Sequence, residues 1–288
     1  MKVGFVSIVG RPNAGKSTLI NSIIGSKVAI VSDKAHTTRN NIQGIYNDDD
    51  SQIIFIDTPG IHKPMHKLGK YMNSQSYYSI EDTNVILFMV DATEKIGKGD
   101  KFILEKLKEV DSNVFLILNK VDRIKKENLF PMIEEYNKLF DFKEIIPISA
   151  LKKDNIDDLI KTIKKYLDEG ERYYSEDYYT DKSINFMVSE IVREKVLNLT
   201  HEEVPHAVTC VLEKYKEEIN VLIIVEREGI KRILVGHSGS MIKEIGIEAR
   251  KDIEELVGKK VYLELFVKTV NNWREKDKYL AEFGFNNE

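Results

Sequence analysis

The chain has 288 residues, enough for two domains, with 42% hydrophobic and 31% charged residues, the proportions of an ordinary globular protein. A formal net charge of −4 excludes a bulk polycation for nucleic acid, and a single cysteine, Cys210, excludes an internal disulfide framework or a cysteine-rich zinc site. One thiol fits a reducing, cytosolic setting. Cys210 lies in the alternating apolar run 206–212 and reads as core. No apolar run reaches the ~18 residues of a membrane span. The chain opens directly into a strand, so no signal peptide is expected and membrane contact would be peripheral.

Residues 2–9 (KVGFVSIV) read as a short buried strand, and residues 17–24 (STLINSII) as a helix with Leu19, Ile20, Ile23 and Ile24 on one side. Between them stand Gly10, Arg11, Pro12, Asn13, Ala14, Gly15, Lys16 and Ser17, which fit the G-x-x-x-x-G-K-[ST] phosphate loop at every fixed position. The glycines let backbone N–H groups turn inward on phosphate oxygens, and the helix N-terminus favours an anion. Lys16 is expected to reach the β- and γ-phosphates, and the Ser17 hydroxyl to ligate Mg2+, with Thr18 alongside.

Residues 27–40 (KVAIVSDKAHTTRN) have no clean period and read as a loop, where a mobile switch belongs. A threonine here can close over Mg2+ and the γ-phosphate. Thr37 and Thr38 are adjacent, spacing does not choose between them, and Thr38 is preferred. Residues 41–46 and 52–56 look like a strand pair around an acidic turn. The second ends in Asp57, Thr58, Pro59 and Gly60. An Asp closing a buried strand in such a fold holds Mg2+ through water, and the Gly60 amide can approach the γ-phosphate. Lys16, Thr38 and Gly60 are thus the groups expected to act on the transferring phosphate, and Ser17, Thr38 and Asp57 the metal set. After Gly60 comes Ile61, whose aliphatic side chain cannot orient an attacking water. His62 and His66 are available, and read as solvated loop residues.

Residues 84–90 (NVILFMV) form a third buried strand, 100–110 an amphipathic helix, and 113–118 (NVFLIL) another strand. That strand delivers Asn119, Lys120, Val121 and Asp122. A carboxylate at Asp122 accepts from N1–H and the N2 amino group of guanine, a donor pair that adenine lacks. Asn119 is expected to tie loops together, with the Lys120 stem along the base. Residues 144–148 lead to Ser149 and Ala150, whose backbone amides suit the guanine O6. Residues 155–167 close the unit with Ile156, Leu159, Ile160, Ile163 and Leu167 on one helix face. The fold class expected is α/β, a doubly wound, mostly parallel sheet over residues 1–168. Residues 169–182, acidic and rich in tyrosine, read as an interdomain connector.

From 183 to 288 the order changes: a helix at 184–199, strands at 206–215 and 218–227, a short helix leading to Gly236, His237, Ser238 and Gly239, a helix to about 256, and a last strand at 260–269. This α+β order with a G-x-x-G between two helices is that of a type II KH domain, which binds single-stranded RNA. Lys231, Arg232, Lys243, Arg250 and Lys251 are near it in sequence. Residues 181–288 hold 17 basic and 20 acidic residues, so RNA affinity must rest on a local patch. The RNA-binding set is Lys231, Arg232, Gly236, His237, Ser238, Gly239, Lys243 and Arg250.

GRPNAGKST, HTTRN, DTPGIH, NKVD and ISA, with EDYYTDKS, SEIVREK, VEREG, IGIEARKDIEEL and VYLELFVK, resemble bacterial GTPases of the Era family over nearly the whole chain. The resemblance implies a GTP-dependent factor for small ribosomal subunit maturation, whose KH domain binds small-subunit ribosomal RNA near its 3′ end. It implies a cytoplasmic protein with peripheral association with the inner cell membrane. An aliphatic residue at Ile61 is similar to the family. Asn13 sits where some related GTPases hold K+, a second candidate ion beside Mg2+. The expected activity is slow GTP hydrolysis to GDP and phosphate, with a monomer expected. Two rivals differ in class. One is a GTPase whose second domain docks a protein, against which the intact Gly236-x-x-Gly239 argues. The other is a phosphate-loop kinase for a small metabolite, against which Asp122 argues.

Overall fold

The computed structural model describes residues 1–81, 83–215 and 218–285, so the last three residues of the second expected domain lie outside it. The chain divides into two compact units. The first is Met1–Ala29, Thr38–Lys63 and Met72–Asp181; the second is Ile30–Thr37, Pro64–Tyr71 and Lys182–Glu288.

In chain order the first unit contains β1 (Lys2–Gly10), α1 (Lys16–Ile24), β2 (Ile42–Asn47), β3 (Ser51–Asp57) and α2 (Lys67–Tyr78), which belongs to it from Met72 onward. Then come β4 (Val85–Asp91), α3 (Lys98–Leu107), β5 (Asn113–Asn119), α4 (Leu129–Asn137), β6 (Glu144–Pro147), α5 (Ile156–Lys164) and β7 (Asp168–Glu169). The strand order is β2-β3-β1-β4-β5-β6, with β7 also on β1. The β3–β1, β1–β4, β4–β5 and β5–β6 pairs are parallel; β2 and β7 pair antiparallel. This is the mostly parallel sheet expected.

Strands covered on both faces read as continuous apolar runs, which is why β3, β4 and β5 are so rich in Ile, Leu, Val and Phe. Alternate residues then choose a face. Ile86, Phe88 and Val90 of β4 pack with Val114, Leu116 and Leu118 of β5 against Ile103, Leu104 and Leu107 of α3. The register sets Ile8 beside Asp57 and Asp91 beside Asn119, so the loops leaving β1, β3, β4 and β5 gather at one sheet edge.

The tyrosine-rich stretch after β7 runs along β2 and β3. The buried Gln52 accepts from the amides of Tyr173 (2.8 Å) and Tyr174 (3.0 Å) and donates to the Tyr174 carbonyl (2.9 Å). Ile45 N–H donates to Tyr179 O (3.0 Å), and Gly44 bridges Thr180 antiparallel. An edge strand's unpaired backbone groups are thereby satisfied.

The second unit contains α6 (Ile184–Leu199), β8 (Val208–Tyr215), β9 (Glu218–Val225), α7 (Glu228–Val235), α8 (Ser240–Val257), β10 (Tyr262–Thr269) and α9 (Asp277–Glu282). Ser183 caps α6 by accepting from Phe186 N–H (3.3 Å). The sheet order is β10-β9-β8, with β9 antiparallel to β8 and parallel to β10. Val188, Ile191, Val192 and Val196 of α6 meet Ile245, Ala249 and Ile253 of α8 over Val221, Ile223 and Val225 of β9. Cys210 is in this core, buried. The chain does not stop at the last expected strand. Trp273 is fully buried, donates from Nε1 to Ala207 O (3.2 Å) and stacks on Phe285. This tail lacks a long hydrophobic period, so only its aromatic residues mark it as packed.

Candidate functional site

Gly15 enters α1 at φ +100°, a left-handed geometry natural only to glycine, and a Cβ there would lie 2.2 Å from Asn119 Nδ2. Gly10 ends β1; Arg11 to Gly15 turn; Lys16 begins the helix and Thr18, half-buried, lies in its first turn. Lys16 is buried, and its Nζ donates to the carbonyls of Gly10 (3.3 Å) and Arg11 (3.1 Å). Burial lowers its pKa to about 8, with the Asp57 charge opposing.

Three oxygens converge beside it. Ser17 Oγ donates to Asp57 Oδ2 (2.6 Å), Thr38 Oγ1 lies 2.9 Å from Ser17 Oγ, and Thr38 Oγ1 donates to the same Asp57 oxygen (3.2 Å). Burial raises the Asp57 carboxyl, with Lys16 and the two hydroxyls opposing. Thr37 takes no part: its hydroxyl donates to Lys34 O (2.7 Å) and it belongs to the second unit.

Thr58 donates to Ile8 O (2.7 Å), and Pro59 O accepts from Ser76 Oγ (2.8 Å). Gly60 lies against the Pro12 backbone. Ile61 is buried with Val9, Ile80 and Phe88, turned into the core. His62 sits behind it, its Nδ1–H donating to Gly60 O (2.8 Å) while Asn73 Nδ2 donates to His62 O (2.7 Å). Burial pulls the His62 pKa down, with the Gly60 bond opposing. His66 belongs to the second unit and pairs with Glu275 there (2.8 Å).

At the other end of the sheet edge, Asn119 is buried. Its Nδ2 donates to Ala14 O (2.8 Å) and its Oδ1 accepts from Ala150 N–H (3.0 Å), joining three loops. Lys120, at φ +65°, donates to Asn13 O (2.9 Å) and pairs with Asp91 (2.5 Å). Val121 opens a short 3-10 turn with its N–H on Ile148 O (3.2 Å). Asp122 Oδ1 accepts from the Ser149 hydroxyl (2.6 Å). The Ser149 amide donates to Asp154 O (3.2 Å), so both amides expected to face the base have protein partners here.

Three participants were not anticipated from the sequence. Asp91 is held ionised despite partial burial by Lys120 and Thr93, and it closes β4 as Asp57 closes β3, so the strand-end signal was there. Glu94 and Asp100 hold the Arg11 guanidinium at 3.0 and 3.3 Å. They sit in and after the β4–α3 loop, where no motif marks them.

In the second unit, Gly236 ends α7 at φ +73°, where a Cβ would lie 2.8 Å from Met241 N. His237, Ser238 and Gly239 form a 3-10 turn into α8, with His237 and Ser238 exposed. Arg232 and Lys243 are exposed and Lys231 half-buried; none has an ion-pair partner among the described residues. Arg250 approaches Glu254 (3.9 Å) and Lys251 pairs with Glu248 (2.7 Å). The exposed Ile233 and Ile247 add apolar surface on α7 and α8.

A family profile described as a 50S ribosome-binding GTPase matches residues 5–120, and a KH-domain profile matches residues 203–274. The class is thus a phosphate-loop GTPase with a KH domain behind it. Two crystal structures match over 100% of both chains at 44% identity and a TM-score of 0.97. One is a variant of Aquifex aeolicus Era bound to GDP and aluminium fluoride; the other is Era with MgGDPNP and nucleotides 1506–1542 of 16S ribosomal RNA. The chain belongs to the Era family of GTPases.

Proposed function

We propose that this chain is a slow GTPase that binds small-subunit ribosomal RNA near its 3′ end and acts in small ribosomal subunit assembly. The observation that carries the nucleotide half is the meeting of Ser17, Thr38 and Asp57 at the mouth of the phosphate loop. The RNA half is supported by the full-length likeness to an Era bound to 16S ribosomal RNA and by the cations around Gly236 and Gly239. We read residues 1–168 as the GTPase domain, 169–182 as the connector and 183–288 as the KH domain.

Ser17, Thr38 and Asp57 suit Mg2+. They offer hard oxygens, and Asp57 Oδ1 is buried with no hydrogen-bond partner among the described residues. Mg2+, when bound, would offset charge on the β- and γ-phosphates. Lys16 and the amides from Asn13 to Lys16 bind the phosphates, and a phosphate anion beside Lys16 opposes the desolvation that depresses its pKa. Asp122, oriented by Ser149, takes the guanine edge, while Asn119 and Lys120 hold the base loop against Ala14 and Asn13. Gly60 N–H and Thr38 act at the γ-phosphate. Ile61, turned into the core, cannot position water. Asn13 is read as a K+ ligand; equal GTP turnover in potassium and sodium would remove that part. The protein acts in the cytoplasm as a monomer, with peripheral contact to the membrane. Among the described residues no helix is long and apolar enough to cross one.

The test is RNA binding by the full chain in its GTP-analogue and GDP states, beside the double variant Gly236→Asp, Gly239→Asp. Stronger binding with the analogue, lost in the variant, supports the reading. Equal RNA binding by wild type and variant removes the KH loop from it.

A further inference from the structure

The loop that follows β3 is held by side chains of α2. Asn73 is 8% exposed and Ser76 fully buried, and both lie in the part of α2 that belongs to the first unit, as does the loop. Asn73 Nδ2 donates to His62 O at 2.7 Å, and Asn73 Oδ1 accepts from His62 N–H at 3.4 Å. A carboxamide carries the same donor and acceptor as a peptide group, so one side chain takes both main-chain groups of His62, as a neighbouring strand would. Ser76 Oγ donates to Pro59 O at 2.8 Å, with Met72 O at 3.0 Å as its other acceptor. The loop is thus tied to one helix at residue 59 and again at residue 62.

Between the two ties the chain has little freedom. Ile61 is packed in the core with Val9, Ile80 and Phe88, and a Cβ on Gly60 would lie 2.7 Å from Pro12 N. Gly60 is itself buried, and its N–H has no hydrogen-bond partner among the described residues. A buried N–H is rarely left so, because a small shift of the chain toward an acceptor would satisfy it. The ties at 59 and 62 oppose that shift. Asn and Ser are also poor choices for the buried face of a helix, where Ala or Leu would pack with no polar group to satisfy. Asn73 and Ser76, three residues apart, share one face of α2 and direct it at main-chain atoms of this loop.

We infer that Asn73 and Ser76 are positioning residues for GTP hydrolysis: they hold residues 59–62 so that the Gly60 N–H stays presented to the γ-phosphate. The inference rests on the GTPase reading above and names what keeps the Gly60 amide in place. A donor fixed before charge develops on the transferring phosphate needs no reorganisation during the reaction. GDP has no γ-phosphate, so its binding does not depend on this donor.

The experiment uses the full chain. Asn73→Leu keeps the volume and removes both bonds to His62. Single-turnover GTP hydrolysis at saturating nucleotide falls about tenfold or more in this variant, while GDP affinity stays within about twofold of wild type. A smaller fall in hydrolysis, or a parallel loss of GDP affinity, overturns the inference. If Asn73→Leu does not fold, Ser76→Ala, which deletes one oxygen, decides. Its hydrolysis falls about threefold or more with GDP affinity kept, and the same two results overturn the inference. Should the wild type not hydrolyse GTP, the GTPase reading fails instead, and amide exchange at residues 60–62 judges the ties by themselves. Faster exchange in the variant than in the wild type keeps them; equal exchange removes them.

Discussion

In the proposed base site, the Ser149 hydroxyl acts on specificity through Asp122 rather than by touching the base. Its Oγ donates to Asp122 at 2.6 Å and fixes the carboxylate that we propose takes the guanine edge. Ser149→Ala removes that donor and leaves the carboxylate to rotate. We expect guanine nucleotide affinity to fall roughly tenfold, about 1.5 kcal/mol, the lower end for one hydrogen bond to a charged group. A fluorescent GDP titration measures it, and discrimination against adenine nucleotides should shrink in the same titration. The sequence motif places Asp122 just past the end of β5, in the short turn that follows it. It could not say what holds it, because Ser149 is 27 positions away and only the parallel pairing of β5 with β6 brings the two loops together.

At the scale of elements, the β2–β3 hairpin carries a pH-sensitive lock. Asp48 accepts from Ser51 N–H (2.8 Å), Ser51 Oγ (2.7 Å) and Tyr46 OH (3.0 Å) and pairs with Lys164 of α5 (2.5 Å). Partial burial opposes ionisation, but these partners outweigh it and hold the carboxyl well below the usual carboxylate range. A depressed carboxyl stabilises the fold above its unfolded pKa, and that stability is lost as pH falls through the folded value. The hairpin should therefore hold its stability down to mildly acidic pH and lose it only in stronger acid. In Asp48→Asn the urea midpoint should be lower at neutral pH, and its gap from wild type should close toward pH 2. A gap that stays constant with pH would mean that the lock is not electrostatic. The same acidic turn was legible as a turn, while its tie to α5 was not, since Lys164 is more than a hundred residues further along.

On the scale of the whole molecule, charge decides how RNA can be held. The chain is net acidic, and residues 181–288 hold more acidic than basic residues. Near the Gly236–Gly239 loop, Lys231, Arg232 and Lys243 lack ion-pair partners among the described residues, while Arg250 and Lys251 have acidic neighbours. Three phosphate contacts on single-stranded RNA imply a slope of log K against log[salt] of about −2, from about −0.7 per contact. A salt titration of RNA binding reads this directly. A slope of −5 or steeper would mean that cations beyond these three carry the backbone.

The sequence by itself determined the parts that depend on short spacing. The phosphate loop between a strand and a helix, the aspartate closing β3, the N-K-x-D loop after β5 and the G-x-x-G between two helices are each local patterns with one physical purpose. Alternating strands and helices likewise implied the mostly parallel sheet, because a parallel strand needs a crossover. Tertiary structure alone decided which threonine meets Ser17 and Asp57, that Asp91 pairs with Lys120, and that Ser149 orients Asp122. Each of these joins residues distant in sequence. Their meeting is set by sheet register and by the direction in which side chains leave their elements, and neither is written in the spacing of residues along the chain.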